Sequence, residues 1–156
     1  MDKQNRAKRE AVKNYLRQYG NALDKKRILE ERRRVLSYEL SSPATRQSMA
    51  RAPRNKRTTK TDGAVSIVYR IDDVDRRIEQ QAESATRAVL RVMDLIDLLP
   101  EQSLERQIVE LRHIDCMPWD AVARAAHISR SRAIDYYNAA IDLLLTQEYT
   151  QKIIVE

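Results

Sequence analysis

Apolar residues recur along most of this chain at helical spacing, and the pattern divides it into four parts. Over residues 6–40, Val12, Tyr19, Lys26, Arg33 and Leu40 stand seven apart, with Tyr15, Ala22, Leu29 and Leu36 as the interleaved row. Such a narrow stripe predicts one long helix of coiled-coil type, with Lys26 and Arg33 weakening one row. Gly20 costs helix stability and marks a candidate bend. Residues 41–63 carry no stripe. Residues 64–99 resume it more strongly: Ile71, Ile78, Ala85, Val92 and Leu99 form one row, and Ile67, Val74, Ala88 and Leu95 its partner, with Ala82, Val89 and Ile96 beside them. Two long helices, each with one apolar face and joined by a loop, predict an antiparallel hairpin, and a stripe this narrow also suits pairing with a second chain.

Beyond Pro100 the elements shorten. Ser103 is a plausible N-cap for a helix carrying Leu104, Ile108, Leu111 and Ile114. A turn at Cys116-Met117 precedes a short helix from Pro118 to about Ala126, proline being suited to a first helical turn. A second turn at His127-Ile128 leads to Ser129, a capping residue, and a last helix from Arg130 to about Gln147. This layout predicts a helix-turn-helix over 100–147, whose second helix would enter the DNA major groove. The tail, 148–156, contains Ile153-Ile154-Val155, which either packs back or frays. The expected fold class is therefore all-α: a hairpin over 6–99, with a mobile loop at 41–63, followed by the helix-turn-helix.

Composition sharpens this picture. The 156 residues include two Gly, four Pro and no Phe, which agrees with an all-helical chain. There are 29 Lys and Arg against 23 Asp and Glu. Of the formal charge of +6, +5 falls in 41–63, from Arg46, Arg51, Arg54, Lys56, Arg57 and Lys60 against Asp62. That segment reads either as a basic arm touching nucleic acid phosphates or as a solvated connector. The single cysteine, Cys116, excludes an intrachain disulfide, and His113, His127 and Cys116 come from separate elements, a poor zinc set. No metal, cofactor or catalytic residue is expected: glycine-rich phosphate loops and nucleophile motifs are absent. Asp94 and Asp97 read as a solvated face. No apolar run reaches the roughly 18–20 residues of a membrane span, and residues 1–6 lack the apolar core of a signal peptide, so no membrane association and a cytoplasmic location are expected.

In the last helix, Ala133, Tyr136, Ala140, Ile141 and Leu144 are expected to pack on Val122, Ala123, Ile108 and Leu111. The opposite face then presents Arg130, Ser131, Ile134, Asp135, Tyr137 and Asn138, with Arg132 at its flank. These types suit a groove: Arg for guanine edges or phosphate, Asn for adenine, Asp for a cytosine amino group, Ile for a thymine methyl, Tyr and Ser for phosphate.

On these residues the chain resembles region 4 of sigma-70-type transcription factors. The matching elements are Arg106, Ile108 to Arg112, Trp119, Val122-Ala123, Ile128 to Arg132 and Ala140-Ile141. With its coiled-coil start, basic loop and second long helix, the whole layout is similar to the phage-encoded ArpU/RinA-type late transcription regulators. The resemblance implies promoter-DNA binding in a bacterial host cell; the hairpin is then expected either to set the geometry of a homodimer or to contact host RNA polymerase. It has departures. His127 and Cys116 stand where glycine is common, and Pro118 replaces a Ser-type cap. Ser131 and Ile134 replace the Glu and Arg that read the −35 promoter element, which implies a different DNA specificity. Two alternatives share the features: a small terminase-type phage packaging protein, which usually places its DNA-binding unit first, and a region-4-shaped protein that binds only a protein partner.

Overall fold

The computed structural model describes residues 2–42 and 59–155, with side chains in the second stretch from Gly63 onward. All regular structure among the described residues is helical. The helices are α1 (Lys3–Ser41), α2 (Thr59–Ile96), α3 (Leu104–His113), α4 (Trp119–Ala125), α5 (Arg130–Leu145) and α6 (Glu148–Val155). α1 runs uninterrupted through Gly20, where an added Cβ would meet only Cys116 Sγ at 3.7 Å. α2 begins at Thr59, so residues 59–63, expected in the loop, are helical instead. Gly63 is exposed within the helix, where it costs backbone entropy without interrupting the hydrogen bonding. No described helix is long and apolar enough to cross a membrane.

The chain forms two compact units: residues 1–22 with 85–156, and residues 23–84. The first contains the core. Val12 and Leu16 of α1 join Val92, Leu95 and Ile96 at the end of α2, Leu99 in the turn after it, and Ile108, Val109, Val122, Ile141 and Leu144 of α3, α4 and α5. Several of these side chains have no exposed surface, and each one buried in full contributes about 1.5–3 kcal/mol. The expected stripe of α2 is buried here, at Ala85, Ala88, Val92, Leu95 and Leu99. The tail does not fray: α6 buries Thr150 and packs Ile153 and Ile154 against the core.

The second unit holds the remaining turns of both long helices. Leu36, Ile71, Val74 and Ile78 are only half-buried, and Ile28, Val35, Val65, Val68 and Tyr69 are exposed. Among its described side chains only Ala64 is buried. Arg33 of α1, an unfavourable residue for an apolar row, forms an ion pair with Asp75 of α2.

Candidate nucleic-acid interface

The exposed face of α5 is set by a chain of local devices. At the end of α2, the Arg106 guanidinium donates to Asp97 (2.7 Å) and to Glu110 (2.9 Å), tying the start of α3 to the α2 terminus. Ser103 caps α3: its Oγ accepts from the Arg106 N–H at 3.1 Å. α3 ends in a turn around Cys116, which has φ 54°, and the Met117 N–H donates to the Leu111 carbonyl at 3.0 Å. Pro118 stands at the N-cap of α4 with no side-chain cap bond.

The α4–α5 turn is tighter. The Ile128 N–H donates to the Ala123 carbonyl (3.1 Å) and the His127 N–H to the Arg124 carbonyl (3.2 Å). That pair of bonds is the Schellman arrangement, and its left-handed position is His127 with φ 56°. The residue there pays a cost that glycine would avoid. Ser129 then caps α5, its Oγ accepting the Arg132 N–H at 3.2 Å.

α3, α4 and α5 are locked by a polar-aromatic cluster that the residue pattern does not reveal. His113 of α3 is buried, and its Nε2 lies 2.9 Å from the Tyr137 hydroxyl of α5. The Trp119 ring of α4 meets Tyr137 edge-on, with centroids 5.1 Å apart. The Arg112 guanidinium lies 4.9 Å over Trp119 and donates to the Met117 carbonyl at 2.7 Å. Desolvation, with smaller contributions from Arg112 and Arg17, pushes the His113 pKa down to about 3, so this imidazole is neutral at pH 7. Desolvation pushes the Tyr137 hydroxyl up to about 12.

Tyr137 therefore does not belong to the exposed face, where the sequence placed it. It is 6% exposed and committed to His113, whereas its neighbour Tyr136, expected inside, is half-buried. The two side chains are 100° apart on the helix, and only position 137 meets a buried polar partner for its hydroxyl. Ala133, Ala140, Ile141 and Leu144 pack inward as expected. Arg130, Ser131, Arg132 and Asp135 are exposed together. Arg130 Nη1 lies 3.7 Å from Asp120 of α4, and both side chains are well solvated. Ile134 and Asn138 are half-buried. Asn138 faces a cleft whose other walls are Arg6, Arg9, Glu10 and Lys13 of α1. The six loop cations fall elsewhere: Arg46, Arg51, Arg54, Lys56 and Arg57 lie outside the described residues, as does the side chain of Lys60.

No protein-family profile, curated protein or solved structure matches this chain. The chemistry of the face must therefore stand on its own geometry. It offers two guanidinium groups, a hydroxyl, an amide and a carboxylate on one helix, projecting from the element that follows a tight turn. Such a set can donate to phosphate and base edges and accept from a cytosine amino group. Among the described residues, no three His, Cys, Asp or Glu side chains converge on a site for a metal ion.

The α1 residues beside this face carry no motif that marks them in the sequence. Arg9 of α1 pairs with Asp142 of α5 at 3.4 Å, and Lys13 Nζ lies 5.9 Å from the Tyr137 ring centroid. The signal available was charge: residues 1–22 hold six Lys and Arg against two acids.

Proposed function

We propose that this protein is a transcription regulator of phage or prophage type that binds double-stranded DNA through α5, the second helix of a helix-turn-helix formed by α4 and α5. The observation that carries the reading is the exposed constellation Arg130, Ser131, Arg132 and Asp135 on the first turns of a Ser129-capped helix. In this arrangement α4 crosses the backbone while the first turns of α5 reach base edges. The resemblance to sigma region 4 adds the expectation of contact with RNA polymerase. Fluorescence anisotropy with duplexes cut from the source genome, at several salt concentrations, tests the proposal. Binding that weakens with salt supports it, and Arg130→Ala costs about 1–3 kcal/mol and relaxes specificity where Arg130 reads a base. Absence of binding to any duplex at low salt sinks it.

One observation favours a second reading, a protein that binds only another protein. Residues 85–156, which contain α3 to α6, carry eight Lys and Arg against eleven Asp and Glu. A net-acidic segment repels the phosphate backbone.

The second unit is proposed as the self-association element, with another copy of this chain as its occupant. Within the second unit, Arg33 of α1 pairs with Asp75 of α2. In the second unit an open groove of about 770 Å³ is lined by Val35, Leu36, Val65, Tyr69 and Val74. Its charges favour a copy: residues 23–42 hold six basic and four acidic side chains, residues 63–84 three and five. Each α1 stretch then complements the α2 stretch of its partner, as an isologous two-fold interface requires.

A further inference from the structure

The acidity of residues 85–156 raises the question of where α5 would find its phosphate-binding charge. We infer that the first turns of α1 supply it: Arg6 and Lys13 form a phosphate-contacting flank for the exposed face of α5. This inference rests on the reading of α5 as DNA-facing.

Three observations carry it. First, α1 is docked beside α5 at this point. Arg9 is held by Asp142 at 3.4 Å, and the Arg9 side chain is only 16% exposed, so it acts as the anchor. Second, Arg6 and Lys13 stand three residues before and four after Arg9, hence on the same side of the helix, and with Glu10 and Asn138 they line one cleft beside the α5 face. Third, the only acid of that cleft is already engaged. Glu10 pairs with Arg17 at 2.9 Å, which holds its carboxyl below the usual range. Arg6 and Lys13 have no ion-pair partner among the described residues, and Arg6 is exposed. Two cations without a direct ion pair, sharing the field of Glu10, therefore border a helix face whose own segment is acidic. Residues 1–22 turn the first unit from net acidic to slightly basic.

The occupant this fits is the sugar-phosphate backbone of a DNA duplex next to the groove that α5 enters. Phosphate contacts of this kind fix register and add affinity without reading sequence.

The test uses the full chain and the double variant Arg6→Gln/Lys13→Gln, with Arg130→Ala alongside. Circular dichroism melting of the double variant checks folding, since neither side chain belongs to the core. Each protein is titrated by anisotropy against two labelled duplexes: one enriched by the wild-type protein from its source genome, and one of unrelated sequence. For the double variant, affinity falls roughly tenfold or more at 0.1 M salt on both duplexes, and the slope of log K against log salt flattens by about 1.8, the value for two lost phosphate contacts. Arg130→Ala instead narrows the gap between the duplexes. A double variant with wild-type affinity and slope, while Arg130→Ala still weakens binding, overturns this inference and leaves the DNA reading standing. A wild-type protein that enriches no fragment from the genome and does not bind the unrelated duplex at low salt overturns both, and directs the cleft to an acidic protein surface.

Discussion

Acidification below pH 6.5 removes stability through buried His113, beside the slope that carboxylates contribute. In the folded chain its pKa is about 3, against 6.5 for an ordinary histidine. The folded state thus binds fewer protons than the unfolded state across this window. Its contribution is complete above pH 6.5 and is lost progressively as pH falls toward 3. At pH 5 the unfolded imidazole is almost fully protonated and the folded one is not, which costs about 2 kcal/mol. The perturbation is large because a charged imidazole beside Tyr137 would be buried and would face Arg112 and Arg17. Urea denaturation followed by circular dichroism, repeated between pH 7.5 and 5, measures the loss. Carboxylates contribute their own slope, so His113→Asn is run in parallel and is expected to show a shallower decline over this window. NMR titration of the wild-type ring supplies a readout independent of that variant's folding. A His113 resonance titrating near pH 6.5, or identical pH slopes in both proteins, would mean that burial does not hold this imidazole neutral.

Thr150 is buried with its Oγ1 lacking a hydrogen-bond partner among the described residues, so Thr150→Val should stabilise the fold by about 1 kcal/mol in urea denaturation, and a loss would mean that the hydroxyl is satisfied. His127 is exposed and left-handed, so His127→Gly should raise stability by about 0.5–1 kcal/mol without touching the core. The proposed pairing of two copies through the second unit predicts that Val35→Glu lowers the mass in sedimentation equilibrium to that of a monomer. A wild-type chain that sediments as a monomer at every concentration measured would remove the copy from the second unit.

Local chemistry made much of the helical plan legible. Ser103 and Ser129 announce their helices because a side-chain oxygen satisfies an N–H that the first turn leaves open. Pro118, the turn at Cys116 and the turn at His127 mark the ends of α3 and α4 for equally local reasons. What escaped depends on distant partners. Leu16 lies outside the seven-residue rows of α1 yet is fully buried, because the helices it meets in the first unit cover more than a narrow seam. The choice between Tyr136 and Tyr137 was made by His113, which is 24 residues away in sequence. Arg6, Arg9 and Lys13 became site candidates only when packing brought the start of α1 beside α5. The start of α2 at Thr59 was hidden because residues 59–63, polar and without net charge, give no apolar stripe to read.

Enrichment of bound fragments from the source genome by this chain decides whether α5 reads DNA. DNA reading by α5 predicts that recovered fragments share a short sequence motif and that Arg130→Ala blurs it. Recovered fragments with the composition of the input, or no recovery at low salt, would contradict it.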